Sequence, residues 1–213
     1  MRRRCKGAAK TLAVFFRPFA FFFVRGKKLD IEKMYRFSKR EKNVFVDLRI
    51  DAYHEIYNEW EFAPDAWGDL DDELFEYLEE CAFEIPEEYR LCVCFHLPAK
   101  IENQEKERTT AKGYRSYFNY RVRKLRVEIK NERKKIFFYL VTGSALLATA
   151  FFTGDFIVST NIKRFLSEGF FVGAWVVLWE LFTALFFTST QLMDRYSVLE
   201  RLLKAGVEFV YDA

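Results

Sequence analysis

Hydrophobic positions change period along this chain, and the changes mark its elements. In residues 43–50 (NVFVDLRI) they alternate, with Val44, Val46, Leu48 and Ile50 on one face, which predicts a strand. Residues 90–97 (RLCVCFHL) alternate through Leu91, Val93, Phe95 and Leu97 and predict a second strand. Between them, Leu70, Leu74, Tyr77, Leu78 and Cys81 make a stripe at helical spacing, which Pro86 helps to stop. Asp51 is placed to cap a short helix through Asn58, with Ile56 and Tyr57 inward. After Pro98, Tyr114, Phe118, Val122, Leu125 and Ile129 recur at spacings of 4, 4, 3 and 4, one face of a long helix starting near Ile101. The fold class is α+β: a small unit over residues 43–100 whose two strands share a sheet, followed by a stem helix over 101–135. Two strands make an unstable sheet, so the unit is expected to lean on the stem or on another subunit.

Two later runs have another pattern. Residues 136–153 (IFFYLVTGSALLATAFFT) carry no charge, and residues 169–191 carry only Glu180. At about 1.5 Å per residue, each run crosses a hydrocarbon core of about 30 Å with modest tilt, and in lipid each must be a helix. Residues 154–168 are then a connecting loop and 192–213 a tail. Basic residues crowd the near side of the first run, while the loop offers only Lys163 and Arg164. The tail carries Arg195, Arg201 and Lys204. The positive-inside rule places both termini in the cytoplasm and the loop outside, a multi-pass topology.

Bulk composition hides this plan: a net charge of +3 and 51% hydrophobic residues suit an ordinary soluble domain. The charge is segregated, however, with fifteen Asp or Glu and no Lys or Arg in residues 51–88, and twelve Lys or Arg in 106–135. Arg126, Lys130, Arg133, Lys134 and Lys135 sit where anionic headgroups would lie, each contributing about 1 kcal/mol near such a surface. Nucleic acid is not the expected partner, because no reading motif accompanies these residues. Trp60, Phe62 and Trp67, in an acidic turn-rich stretch, offer either core or a surface for a cytoplasmic protein partner. Residues 1–42 are basic and aromatic and broken at Arg17-Pro18; they suit an interfacial segment, or else translation begins at Met34.

The segments LRID (48–51), EIP (84–86), FHLP (95–98), YFNYR (117–121) and WVVLW (175–179), in this order, resemble a group of uncharacterised bacterial two-span inner-membrane proteins with a small cytoplasmic N-terminal domain. The resemblance covers roughly residues 44–210. It implies a fold and a topology and brings no activity. Those relatives tend to have a Pro and an acidic residue after the tryptophan pair, where this chain reads WELFTALFF.

Glu180 is the candidate functional residue within the membrane, where an ionised carboxylate is costly. Helical geometry groups it with Gly169, Gly173, Thr183 and Ala184, and GFFVG matches GxxxG, a motif of close helix contact. Gly143, Ser144, Ala145 and Ala148 of the first run are expected to face it. Elsewhere the chemistry is thin. Cys92, Cys94 and His96 point to one side of a strand, with Cys81 on a neighbouring helix; such ligands suit zinc. Neighbouring in-strand positions rarely close a tetrahedral site, however, and Cys is often simply buried, so no metal or cofactor is expected. The acidic cluster Asp69, Asp71, Asp72 and Glu73 lacks calcium-loop spacing, and there is no Gly-rich phosphate loop or second histidine beside His54-Glu55. An enzyme is not expected. Two functions are: a membrane-anchored interaction or scaffold protein, or an oligomeric channel or membrane-disrupting effector gated by its cytoplasmic domain. Assembly into a homo-oligomer is expected, and a pore requires several subunits.

Overall fold

A computed structural model describes residues 34–38, 42–58, 69–156 and 160–212. The two alternating segments form strands and acquire a neighbour on each side. β1 (Arg36–Ser38), β2 (Asn43–Arg49), β3 (Arg90–Pro98) and β4 (Gly206–Asp212) lie in the order β1-β2-β3-β4. β1 runs antiparallel to β2, while β2, β3 and β4 are parallel to one another. The sheet therefore has four strands where two were expected. β4 comes from the segment expected to be a tail: after Gly206, Val207, Phe209 and Tyr211 alternate and pack against the core.

Parallel neighbours need a crossover connection. Between β2 and β3 it is α1 (Asp72–Glu84). The Asp71 carboxylate accepts from the Leu74 N–H at 3.0 Å, and Asp72 and Glu73 suit the positive end of the helix. The buried face of α1 runs through Phe75, Leu78, Cys81 and Ala82, leaving Tyr77 exposed, so the apolar stripe is rotated from the expected one. The short helix over 53–56 (Tyr53–Ile56) is a single 3-10 turn, and Asp51 does not cap it. Ile56 is nevertheless fully buried.

Between β3 and β4 the crossover is much larger. α2 (Gln104–Phe156) has 53 residues, about 80 Å at 1.5 Å each. α3 (Thr160–Thr183) returns beside it, a π turn (Ala184–Thr188) follows, and α4 (Ser189–Lys204) leads into β4. Most of the expected 154–168 loop is thus helical, leaving 157–159 between the helices. Arg164 and Glu168, which looked like loop residues, form an i,i+4 ion pair at 2.9 Å on α3.

The core lies where α1, the first half of α2 and α4 meet one face of the sheet. Tyr114, Phe118, Val122 and Leu125 of α2 are buried with Val198, Leu199 and Leu202 of α4 and Val93, Phe95 and Leu97 of β3. The stem seam therefore packs within one chain. Beyond this core the two helices touch mainly each other, and their outer faces are apolar: Phe151 is 77% exposed and Trp175 63%. Both α2 and the α3–α4 run are long and apolar enough to cross a membrane.

Candidate functional site

The sheet face turned away from the helices carries the densest chemistry. Side chains alternate along a strand. With Leu91, Val93, Phe95 and Leu97 in the core, Cys92, Cys94 and His96 project to the other side. Register adds residues that the linear sequence keeps far apart. Asp47, Cys94 and Glu208 stand in one row across β2, β3 and β4, and Cys92 lies between Phe45 and Gly206 in an adjacent row.

Direct contacts join this group. Arg36 of β1 reaches across β2 to donate to both oxygens of Asp47, at 2.8 and 3.2 Å, and its Nη2 lies 3.2 Å from Cys94 Sγ. Its guanidinium also covers the Phe45 ring at 4.5 Å. The His96 Nε2 is 3.0 Å from Asp47 Oδ1. Cys94 Sγ lies 3.8 Å from Glu208 Oε2. The sulfur atoms of Cys92 and Cys94 and a carboxylate oxygen of Glu208 all lie within 4.8 Å of one another. A Cβ added to Gly206 would come within 3.2 Å of Cys92 Sγ, so only glycine at that position leaves the sulfur its present room.

Environment separates the roles of these groups. Cys92 and Cys94 are buried, and Glu208 is at the exposed rim. Burial pushes the Cys92 thiol up, and the neighbouring Cys94 and Glu208 add to the effect. Burial and Glu208 raise the Cys94 thiol as well, opposed by Arg36. Burial also works to raise the Asp47 carboxyl, but the hydrogen bonds from His96 and Arg36 outweigh it and hold the group below its ordinary value.

Cys81 is not part of this group, because it faces the core on the opposite side of the sheet. Sequence reading missed Arg36, Asp47 and, of most consequence, Glu208. Its alternation with Val207 and Phe209 was the available signal, but only the pairing of β4 with β3 brings it to the thiols.

The membrane candidates are arranged differently from expectation. The α2–α3 contact runs through Gly143 and Ala150 on one side and Ala174, Val177, Leu178 and Leu181 on the other. A Cβ at Gly143 would meet Leu178 Cδ2 at 3.0 Å, whereas nothing lies within 4 Å of one at Gly169. At Gly173 the nearest atom is Leu146 Cδ1 at 4.0 Å. Ser144 and Glu180 are exposed and Thr183 half-buried; the Thr183 hydroxyl donates to the Trp179 carbonyl at 3.1 Å. Gly169 is thus exposed and Gly173 sits at the edge of the contact with α2, while Gly143 makes the tight helix contact. Glu180 has no hydrogen-bond or ion-pair partner among the described residues.

On the stem, Lys130, Arg133, Lys134 and Lys135 are exposed on α2 between the buried Leu125 and the apolar stretch. Lys135 pairs with Glu132 at 3.2 Å, and Arg126 donates to the Tyr196 hydroxyl of α4 at 3.0 Å. Trp60, Phe62 and Trp67 lie outside the described residues. Comparison with protein-family models, curated proteins and solved structures gave no match to this chain.

Proposed function

We propose that this protein is a non-enzymatic, membrane-anchored interaction module of the bacterial inner membrane. The apolar hairpin crosses the bilayer, and the four-stranded domain presents itself to a protein partner in the cytoplasm. One observation carries the reading: the hairpin lies within the crossover from β3 to β4, so both of its legs are rooted in a single folded domain. An anchor built this way fixes the domain's position and orientation against the bilayer. The outward phenylalanines and tryptophans support insertion, since an apolar surface of this extent is rare on a soluble monomer. Residues 130–135 supply a basic band about 9 Å long on α2, close to the depth of a headgroup layer and suited to anionic lipid.

Orientation is tested by cysteine labelling. Asn161→Cys, at the start of α3, is expected to react with an impermeant maleimide in intact cells. Tyr120→Cys, on the exposed face of the stem, is expected to react only after permeabilisation. Labelling of position 120 in intact cells would reverse the topology, and release of the chain by alkaline carbonate would remove the anchor altogether.

A second reading rests on Glu180, a carboxylate on the outward face of α3 four residues before the π turn. An unpaired carboxylate in lipid is costly, so this face is assigned to contact between copies of the chain, as in an oligomeric channel or membrane-disrupting effector. Native mass spectrometry from mild detergent separates the readings: a monomer or dimer retains the anchor alone, and a larger ring favours a pore.

A further inference from the structure

We propose that Cys92, Cys94 and Glu208 form a binding site for one zinc-like divalent metal ion on the sheet face opposite the helices. The inference is independent of the membrane reading.

The donor atoms come from two adjacent parallel strands and lie within 4.8 Å of one another. Around zinc, two sulfurs and an oxygen are spaced about 3.5–3.8 Å apart, so side-chain rotation of roughly an ångström closes the set. The parallel register already holds Cys94 beside Glu208. Two sulfur donors select zinc and other borderline or soft ions and disfavour calcium and magnesium, which take oxygen.

Charge and surroundings agree with that choice. Two thiolates and a carboxylate carry three negative charges; a divalent ion and Arg36, whose Nη2 lies 3.2 Å from Cys94 Sγ, carry three positive ones. The outer layer is in place as well: Arg36 is held by Asp47, and Asp47 by His96. Such supporting contacts orient metal ligands. Gly206 keeps the space beside Cys92 open. Glu208 at the exposed rim gives an ion a way in. A disulfide fits less well, because positions i and i+2 of one strand are about 6.8 Å apart, at the upper limit for such a bond.

The test is cobalt(II) titration of the full-length protein, reduced and in mild detergent. Thiolate-to-cobalt charge-transfer absorption is expected to saturate at one equivalent and to vanish when zinc is added. Cys92→Ser and Cys94→Ser are expected to abolish it, and the Cys5→Ser/Cys81→Ser double variant to retain it. Glu208→Gln, which alters only an exposed side chain, is expected to weaken apparent affinity at least about tenfold. This variant carries the test if the buried cysteine variants fail to fold. The proposal is overturned by absence of the band in the reduced protein or by its survival without both Cys92 and Cys94. Unchanged affinity in Glu208→Gln would equally overturn it.

Discussion

The hydroxyl of Tyr114 donates to the carbonyl of Leu202 at 3.1 Å, tying the helix that leaves the domain to the helix that returns to it. Tyr114 is wholly buried, its ring 4.6 Å from that of Phe118, so this tie sits at the root of the hairpin. The Leu202 carbonyl also accepts from the Ala205 N–H at 3.2 Å and keeps a partner if the hydroxyl is removed. Tyr114→Phe is therefore expected to cost only about 1 kcal/mol. Tyr114→Ala leaves a cavity and is expected to cost about 3–5 kcal/mol. Chemical denaturation in detergent, followed by circular dichroism, measures both.

Arg201 of α4 joins α1 by a different means. Its guanidinium donates to the carbonyls of Ala82 at 2.5 Å, Ile85 at 2.6 Å and Pro86 at 3.1 Å. These groups lie at and just beyond the end of α1, where carbonyls lack helical partners and the helix dipole is negative. Arg201→Met is expected to cost about 3 kcal/mol, because it also leaves those carbonyls unmet. Arg201→Lys should recover less than half of that, since an ammonium cannot span the same acceptors. Denaturation midpoints at low and high salt provide the check: most of the loss should persist in salt, because these hydrogen bonds are partly buried.

What could be read in the sequence depended on how long each pattern ran. β2, β3, the stem seam and both apolar runs repeat one period long enough to declare themselves. β1 has three residues, too few to establish alternation. β4 alternates plainly, but its partner β3 lies on the far side of the whole hairpin, and pairing at that distance is decided by packing rather than by local pattern. The glycines of the two apolar helices illustrate the same limit. GxxxG names a pair able to pack closely, yet Gly143 has the tight contact, because the face each helix turns to the other is decided by packing along the whole pair rather than by one local motif. The metal-type cluster was half legible: the strand displayed two thiols, and Glu208 joined them only through register.

Asp47 links stability to pH. Hydrogen bonds and charge from His96 and Arg36 hold its folded carboxyl below the ordinary value despite the opposing effect of burial. The sign follows: its contribution is present above the unfolded value of about 4 and is lost as pH falls through the lower folded one. The side chain is 35% exposed, so solvent screening keeps the contribution to about 1 kcal/mol or less. In metal-free protein, Asp47→Asn is expected to be less stable than the parent at pH 7. Unfolding curves measured at successively lower pH should show that gap shrinking below about pH 4, and a gap that widened instead would show that Asp47 does not act through its charge.

Two glycines in the apolar helices are expected to respond oppositely to the same substitution. A Cβ at Gly143 meets the Leu178 side chain at 3.0 and 3.2 Å, so Gly143→Val must displace α3 or force Leu178 from its rotamer, costing about 1–3 kcal/mol. Nothing lies within 4 Å of a Cβ at Gly169, so Gly169→Val leaves the hairpin itself unstrained. If copies of the chain meet through the outward face of α3, that substitution acts on their contact instead, where a small residue lets two helices approach. Double cysteines joining α2 to α3 report the first effect, through slower disulfide formation in the Gly143 variant. Native mass spectrometry reports the second: Gly169→Val is expected to shift the protein toward monomer, with the cross-linking rate within the hairpin unchanged. The reverse pattern, slower internal cross-linking at Gly169→Val with assembly intact, would place Gly169 inside the hairpin and remove the small-residue face from any contact between copies.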